Sequence, residues 1–69
     1  MNFELSKRGI RIWTYSYPSG AMTLYGIHYT KYGKRDWQKS IRDLTHSDAI
    51  ELFKKLVNET INDYLRGEI

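Results

Sequence analysis

Residues 10–32, IRIWTYSYPSGAMTLYGIHYTKY, decide the fold, because two kinds of side chain alternate along them. The aliphatic set is Ile10, Ile12, Met22 and Leu24, and the interleaved set is Arg11, Trp13, Tyr15, Tyr17, Tyr25 and Tyr29. Successive side chains of a strand point to opposite faces of a sheet. The pattern therefore predicts two strands that bury an aliphatic face and expose an aromatic, basic one.

Turn residues on both sides of this stretch predict a meander of antiparallel strands over residues 3–5, 10–17, 21–30 and 35–43. We expect Leu5 to pair with Ile10, Trp13 with Tyr25, and Thr30 with Arg35. These registers agree on one buried face, which a slip of one residue would break. That face comprises Phe3, Leu5, Ile10, Ile12, Met22, Leu24, Trp37 and Ile41.

The C-terminal third is predicted to be one long amphipathic helix. Thr45 precedes Asp48 by three residues, the spacing of a capping box. Apolar residues then recur with helical periodicity. They are Ala49, Ile50, Phe53, Leu56, Val57, Thr60, Ile61 and Tyr64. The expected fold is α+β, a four-stranded antiparallel meander followed by this helix (ββββα), in a single small domain of residues 1–69.

Length and composition restrict the class of protein. The 69 residues include no cysteine, which excludes disulfides and thiolate metal sites. So small a domain often gains stability by oligomerising, which leaves a homodimer open. No apolar run approaches the roughly 20 residues of a membrane span, and no signal-peptide pattern opens the chain. We therefore expect a cytoplasmic protein without a membrane partner.

Charge is distributed unevenly along the chain. Of eleven Lys and Arg residues, eight lie within residues 1–42, together with only two acidic residues, Glu4 and Asp36. Residues 43–69 hold three basic and six acidic residues. Positive charge thus accompanies the predicted sheet, which favours a polyanionic partner there.

The sequence gives no support for catalysis. The serines have no histidine at a recognisable spacing, and no G-x-S-x-G or S-x-x-K motif occurs. His28 and His46 are distant in sequence and have no third ligand nearby, so we expect neither a metal nor another cofactor. The chain is predicted not to be an enzyme.

The aromatic, basic face is the candidate site, and it predicts nucleic-acid binding. Aromatic rings stack on bases of any sequence, while basic side chains contact phosphates. The leading hypothesis is single-stranded DNA, with DNA favoured over RNA. Alternatively, the aromatics are cross-strand packing pairs, or the face is buried in a dimer. The predicted site residues are Lys7, Arg8, Arg11, Trp13, Tyr15, Tyr25, Tyr29, Lys31, Lys34, Arg35, Gln38 and Arg42.

Two short motifs resemble a family of single-stranded-DNA-binding domains, that of the transcriptional positive cofactor four. Phe3-Glu4-Leu5-Ser6-Lys7 looks like the opening strand of that family. Gly33-Lys34-Arg35, followed by Ser40-Ile41-Arg42-Asp43-Leu44, looks like its last strand running into the helix. The resemblance implies dimers paired through the helix and single strands lying across the sheets. It also implies that Lys7, Lys34 and Arg35 contact the nucleic-acid backbone.

Residues 25–49 also resemble the arm-type DNA-binding domains of tyrosine recombinases, through Gly33-Lys34-Arg35 and through Thr45 and Ala49. That likeness implies a sheet that enters the major groove of duplex DNA. A third hypothesis is a small inhibitor that binds another protein. Tyr, Trp and Arg are also the residues that dominate protein–protein interfaces, so a protein partner stays open.

Overall fold

The computed structural model describes all 69 residues and contains a four-stranded antiparallel sheet followed by one helix. The strands are β1 (Asn2–Leu5), β2 (Ile10–Ser19), β3 (Met22–Lys31) and β4 (Lys34–Arg35), and they lie side by side in chain order. A 3₁₀ turn, Ser6–Arg8, joins β1 to β2, and α1 spans His46–Leu65. The predicted ββββα architecture is confirmed.

Helix α1 begins where the sequence predicts. The side chain of Thr45 accepts a hydrogen bond of 3.2 Å from the backbone N–H of Asp48, which satisfies one of the free donors of the first turn. The helix then buries Ala49, Phe53, Leu56 and Thr60 against one face of the sheet. The core that results comprises Ile10, Ile12, Ile27, Tyr29, Phe53 and Leu56.

The pairing of β2 with β3 differs from the prediction. Ser19 pairs with Met22, so the hairpin turn holds two residues rather than three, and Trp13 pairs with His28 rather than with Tyr25. The register is shifted by three residues, and because side chains alternate with a period of two, a shift by an odd number moves every side chain of β3 to the other face. Tyr25 and Tyr29 therefore lie on the helix side, whereas Met22 and Leu24 lie on the aromatic side.

Gly20 and Pro18 explain the shorter turn. Gly20 has a φ of 61°, as the first central residue of a tight Gly-X hairpin turn requires. Pro18 was predicted to belong to the turn, yet it lies in β2 opposite Thr23. Hydrogen-bonded and non-hydrogen-bonded pairs alternate along the two strands, starting with the hydrogen-bonded pair Ser19–Met22. Pro18 is therefore in a non-hydrogen-bonded pair, and its nitrogen points away from β3. No strand pairs with β2 on that side of Pro18, because β1 extends only as far as Trp13.

The predicted β1–β2 register is confirmed, and that of β3–β4 is confirmed at its first pair. Leu5 pairs with Ile10 in β1–β2, and Thr30 pairs with Arg35 in β3–β4. The fourth strand, however, has two residues rather than the predicted nine, because the chain turns at Trp37–Lys39. The Asp36 carboxylate accepts hydrogen bonds from the N–H groups of Gln38 and Lys39 and so stabilises this turn.

Beyond the turn the chain returns to the edge of β3. The N–H of Ile27 donates to the carbonyl of Ile41 at 2.7 Å, and Tyr25 and Leu44 form an isolated antiparallel bridge. The interruption of β4 and the shifted β2–β3 register together overturn part of the predicted buried face. Trp37 is 73 % exposed, Met22 62 % and Ile41 38 %.

The molecule is elongated, with extents of 44 × 21 × 18 Å. Helix α1 starts beside Tyr25, where the rings of Tyr25 and His46 lie 4.9 Å apart. The outer part of the β2–β3 hairpin continues past this point without a helix above it. Helix α1 does not combine the length and apolarity that crossing a membrane requires.

Candidate nucleic-acid interface

The sheet face opposite α1, called the open face below, carries a continuous row of aromatic rings. The rings of Trp13 and His28 are stacked, with centroids 5.0 Å apart and planes 6° apart. The ring centroids of His28 and Tyr15 lie 4.6 Å apart, and those of Tyr15 and Tyr17 lie 6.0 Å apart. The four rings come from neighbouring positions of β2 and β3, so the pairing of these strands builds the row.

Gly26 provides the space in which Tyr15 lies. It faces Tyr15 across the two strands, and its φ is not among the positive values found at the other four glycines. A Cβ at position 26 would lie 2.6 Å from Cε1 of Tyr15 and closer still to Cζ. The ring thus occupies the space that a side chain would fill, and Gly26 is needed for this close approach.

Three arginines contact aromatic rings on this face. The guanidinium of Arg11 lies 5.0 Å from the ring centroid of Trp13, that of Arg42 lies 5.0 Å from Tyr17, and that of Arg35 lies 4.6 Å from Trp37. Cation–π contacts of this kind are worth about 0.5–1 kcal/mol at exposed sites. The row therefore carries a guanidinium at each end and a third beside its middle.

Tyr17 fixes the loop that precedes α1 to the open face. Its hydroxyl donates to Oδ1 of Asp43 and accepts from the backbone N–H of Asp43 at 2.9 Å. Asp43 has a φ of 65°, a left-handed conformation that a non-glycine residue adopts only under local constraint. Hydrogen bonding to Tyr17 is the largest cause that raises the pKa of Arg42 above its usual value, and the negative charge of Asp43 adds to it.

The surroundings of His28 favour the neutral imidazole. Its pKa is lowered below the usual value, mainly by partial burial and to a lesser degree by the positive charge of Arg35. Nη2 of Arg35 lies 2.5 Å from Nδ1 and 3.2 Å from Nε2 of the imidazole. A neutral imidazole nitrogen can accept a hydrogen bond from the guanidinium, which a protonated ring could not do.

The structure brings five of the predicted site residues together on or beside the open face: Arg11, Trp13, Tyr15, Arg35 and Arg42. It separates the others. Tyr25 and Tyr29 face the helix because of the corrected register, and Tyr29 is only 4 % exposed. Lys31 and Lys34 lie opposite each other in the β3–β4 register, on the helix side of the sheet.

The remaining predicted residues lie outside the row. Lys7 and Arg8 belong to the 3₁₀ turn, where the Arg8 guanidinium lies 5.1 Å from the ring centroid of Tyr64 in α1. Gln38 is exposed in the turn after β4.

Three residues of this face were absent from the predicted site: Tyr17, His28 and Trp37. Tyr17 could have been found, since it continues the alternation of β2. His28 is placed on this face only if the β2–β3 turn has two residues, and Gly20 was the sequence signal for such a turn. Trp37 lies in the turn after β4, and the only sequence signal for that turn was Asp36, a frequent turn residue.

A groove of about 260 Å³ lies on the other side of the sheet, lined by Met1, Thr14, Tyr25, His46, Ala49 and Ile50. No group of three or more His, Cys, Asp or Glu side chains is arranged to hold a metal ion. Comparisons with protein-family models, with curated proteins and with solved structures gave no match.

Proposed function

We propose that the protein binds single-stranded nucleic acid, DNA in the first place, on the open face of its sheet. The observation that carries the proposal is the aromatic row with its arginines, which lies on the solvent side of the sheet and not in the core. Aromatic rings beside guanidinium groups are the two components of general single-strand binding sites. The burial of Ile10, Ile12 and Ile27 on the other face leaves the row outside the core.

The spacing of the row favours a single strand over a duplex. Side chains on one face of a strand recur every ~6.8 Å, because each residue advances ~3.4 Å. Stacked nucleotides of a duplex advance only ~3.4 Å per strand. Trp13, Tyr15 and Tyr17 would therefore match bases one for one only if the bases were unstacked, as an extended single strand allows.

Duplex binding is a second candidate, and the shape of the hairpin is the observation that favours it. The outer part of β2–β3 projects beyond α1 within a molecule 44 Å long. The major groove of DNA admits a two-stranded ribbon of this kind.

The test is a titration of one labelled oligonucleotide, single-stranded and as a duplex, followed by fluorescence anisotropy at several salt concentrations. Three to five phosphate contacts on a single strand predict a log–log slope of roughly −2 to −3.5. Salt-independent binding, or none, would refute the proposal and leave a protein partner as the alternative. Tighter binding of the duplex would favour the second candidate.

A matched pair of variants locates the site. Arg11→Ala with Arg42→Ala removes two positive charges from the open face. Lys54→Ala with Lys55→Ala removes the same charge from exposed positions of α1. Only the first pair should weaken binding and reduce the salt slope, because the second lies on the far side of the sheet.

A further inference from the structure

A small cleft interrupts the open face beside the aromatic row. It lies where the chain leaves β3 after Asp36, whose N–H donates to the carbonyl of Tyr29, and rejoins it at Ile41, which accepts from Ile27. The turn between these two hydrogen bonds swings away from the sheet and opens the cleft. The lining includes Tyr15, His28, Arg35, Trp37, Ser40 and Arg42.

The cleft has the size and charge for one small anion. Its volume is about 40 Å³, and one water molecule occupies roughly 10–15 Å³ on this measure, so there is room for about three. The two non-bridging oxygen atoms of a phosphate group fit such a space, whereas a nucleobase does not. Two arginines, Arg35 and Arg42, are among its lining residues, beside the apolar Ile27 and Ile41.

The charge of Arg35 is uncompensated. No carboxylate lies within 4.0 Å of its guanidinium, which instead contacts His28 and the ring of Trp37. Arg42 does have a partner, Asp43, at 3.5 Å, but both side chains are about two-thirds exposed at 68 % and 64 %. Such exposed pairs are worth little, so an incoming anion can compete for Arg42.

We propose that this cleft is a subsite that holds one phosphate group of a nucleic-acid strand, with the neighbouring base lying against the exposed ring of Trp37. The subsite rests on the proposed function and adds a defined position to it. Trp37 is 73 % exposed, and Arg35 lies 4.6 Å from its ring centroid. Base and phosphate would thus meet adjacent side chains, Trp37 and Arg35.

His28 makes the subsite sensitive to pH. In the free protein, burial and Arg35 favour the neutral imidazole. A bound phosphate offsets the charge of Arg35 and favours the protonated ring, so binding takes up a proton and strengthens as the pH falls. Besides Arg35, the titratable or charged residues near His28 are Tyr15, whose ring centroid lies 4.6 Å away, and Arg42, which lines the same cleft and pairs with Asp43. Arg11 lies beyond Trp13, opposite Glu4 of β1.

The experiment measures the affinity for a single-stranded oligonucleotide at constant ionic strength between about pH 7.5 and pH 5.5, the range in which histidine titrates. The variants are His28→Gln and, as the matched control, His46→Gln, since the chain has two histidines. If binding raises the pKa of His28 by one unit, wild-type affinity increases several-fold over this range, and about tenfold is the limit reached only well below the pKa of His28 in the free protein. His46→Gln should behave like the wild type, and His28→Gln should lose the increase.

A second arm tests the base and the phosphate separately. Trp37→Ala should weaken oligonucleotide binding by about fivefold or more, the lower end of what one base–aromatic stack contributes. Its fold should persist, because the side chain is largely exposed. Inorganic phosphate, followed by NMR, should shift the signals of His28 and of the Arg35 Nε–H.

The outcomes separate the two proposals. If the oligonucleotide does not bind the wild type, the proposed function fails, and the subsite fails with it. If the wild type binds while His28→Gln keeps the full pH dependence, or Trp37→Ala keeps full affinity, the subsite alone is overturned. Phosphate-induced shifts confined to residues outside the cleft would also overturn it.

Discussion

Replacing Gly26 with alanine should disturb the aromatic row without removing any of its rings. Gly26 is the one glycine of the chain without a positive φ, so its backbone conformation suits alanine. Its Cβ, however, would lie 2.6 Å from Cε1 of Tyr15. Carbon atoms in contact prefer separations of about 3.5–4.0 Å, so the ring must move by about 1 Å.

The magnitude follows from two opposing terms. Forcing a methyl group into a packed position costs typically about 1–3 kcal/mol. Alanine in a strand gains back about 0.5–1 kcal/mol over glycine, because its unfolded chain has less conformational freedom. Gly26→Ala should therefore lower the free energy of unfolding by roughly 0.5–2 kcal/mol, measured by urea denaturation with the m-value unchanged. Affinity for single-stranded DNA should fall as well, since Tyr15 leaves its place beside His28 and Tyr17.

A double-mutant cycle with Tyr15→Ala tests the cause. Without the ring the clash is gone, so Gly26→Ala in that background should be neutral or stabilising by up to about 1 kcal/mol. An equal loss of stability in both backgrounds would refute the reasoning, because the strain would then come from somewhere other than the contact between position 26 and Tyr15.

Three further changes test the parts of the fold that support the open face. Phe53→Ala should lower the free energy of unfolding by about 3–5 kcal/mol, enough to leave much of so small a domain unfolded in circular dichroism. Thr45→Ala should cost about 1 kcal/mol through loss of the helix cap, seen as a fall in Tm of about 4–8 °C. Tyr17→Phe keeps the ring but removes its hydrogen bonds with Asp43. It should cost about 0.5–1.5 kcal/mol and speed hydrogen exchange of the Asp43 N–H.

The alternation of β2 carried most of the correct prediction. Ile10 and Ile12 are fully buried, and Trp13 and Tyr15 lie on the opposite face, as the sequence indicated. The cap at Thr45 was equally clear, because it depends on residues three apart. Local patterns of this kind identify an element and its two faces without reference to the rest of the chain.

The register of β3 was predicted wrongly because the sequence of this strand does not indicate which of its two faces is buried. Residues 22–30 carry apolar side chains on both faces, Leu24 on one and Ile27 on the other. The length of the turn therefore decided the register, and Pro18 was a stronger signal of a turn than Gly20 alone. The contact between Tyr15 and Gly26 supplies the missing reason, since only the shorter turn brings this pair together.

Trp37 illustrates a different limit. Its predicted burial assumed that the fourth strand ran without interruption, whereas the turn stabilised by Asp36 displaces it. A turn of this kind depends on hydrogen bonds that two N–H groups donate to one carboxylate, and the periodicity of apolar residues does not reveal it. Irregularities that re-aim a side chain at a sheet edge are often found beside functional sites.

The aromatic row also stabilises the part of the sheet that the helix leaves uncovered. A two-stranded hairpin alone is marginally stable in water, and the outer part of β2–β3 has no helix above it. Each aromatic contact adds about 0.5–1.5 kcal/mol, and the guanidinium contacts of Arg11 and Arg42 add to this. A nucleic acid bound there would draw these arginines from their rings toward phosphates, so part of its binding energy would replace contacts already made. Loss of affinity in a variant of the row therefore identifies a binding residue only when the free energy of unfolding is measured on the same protein.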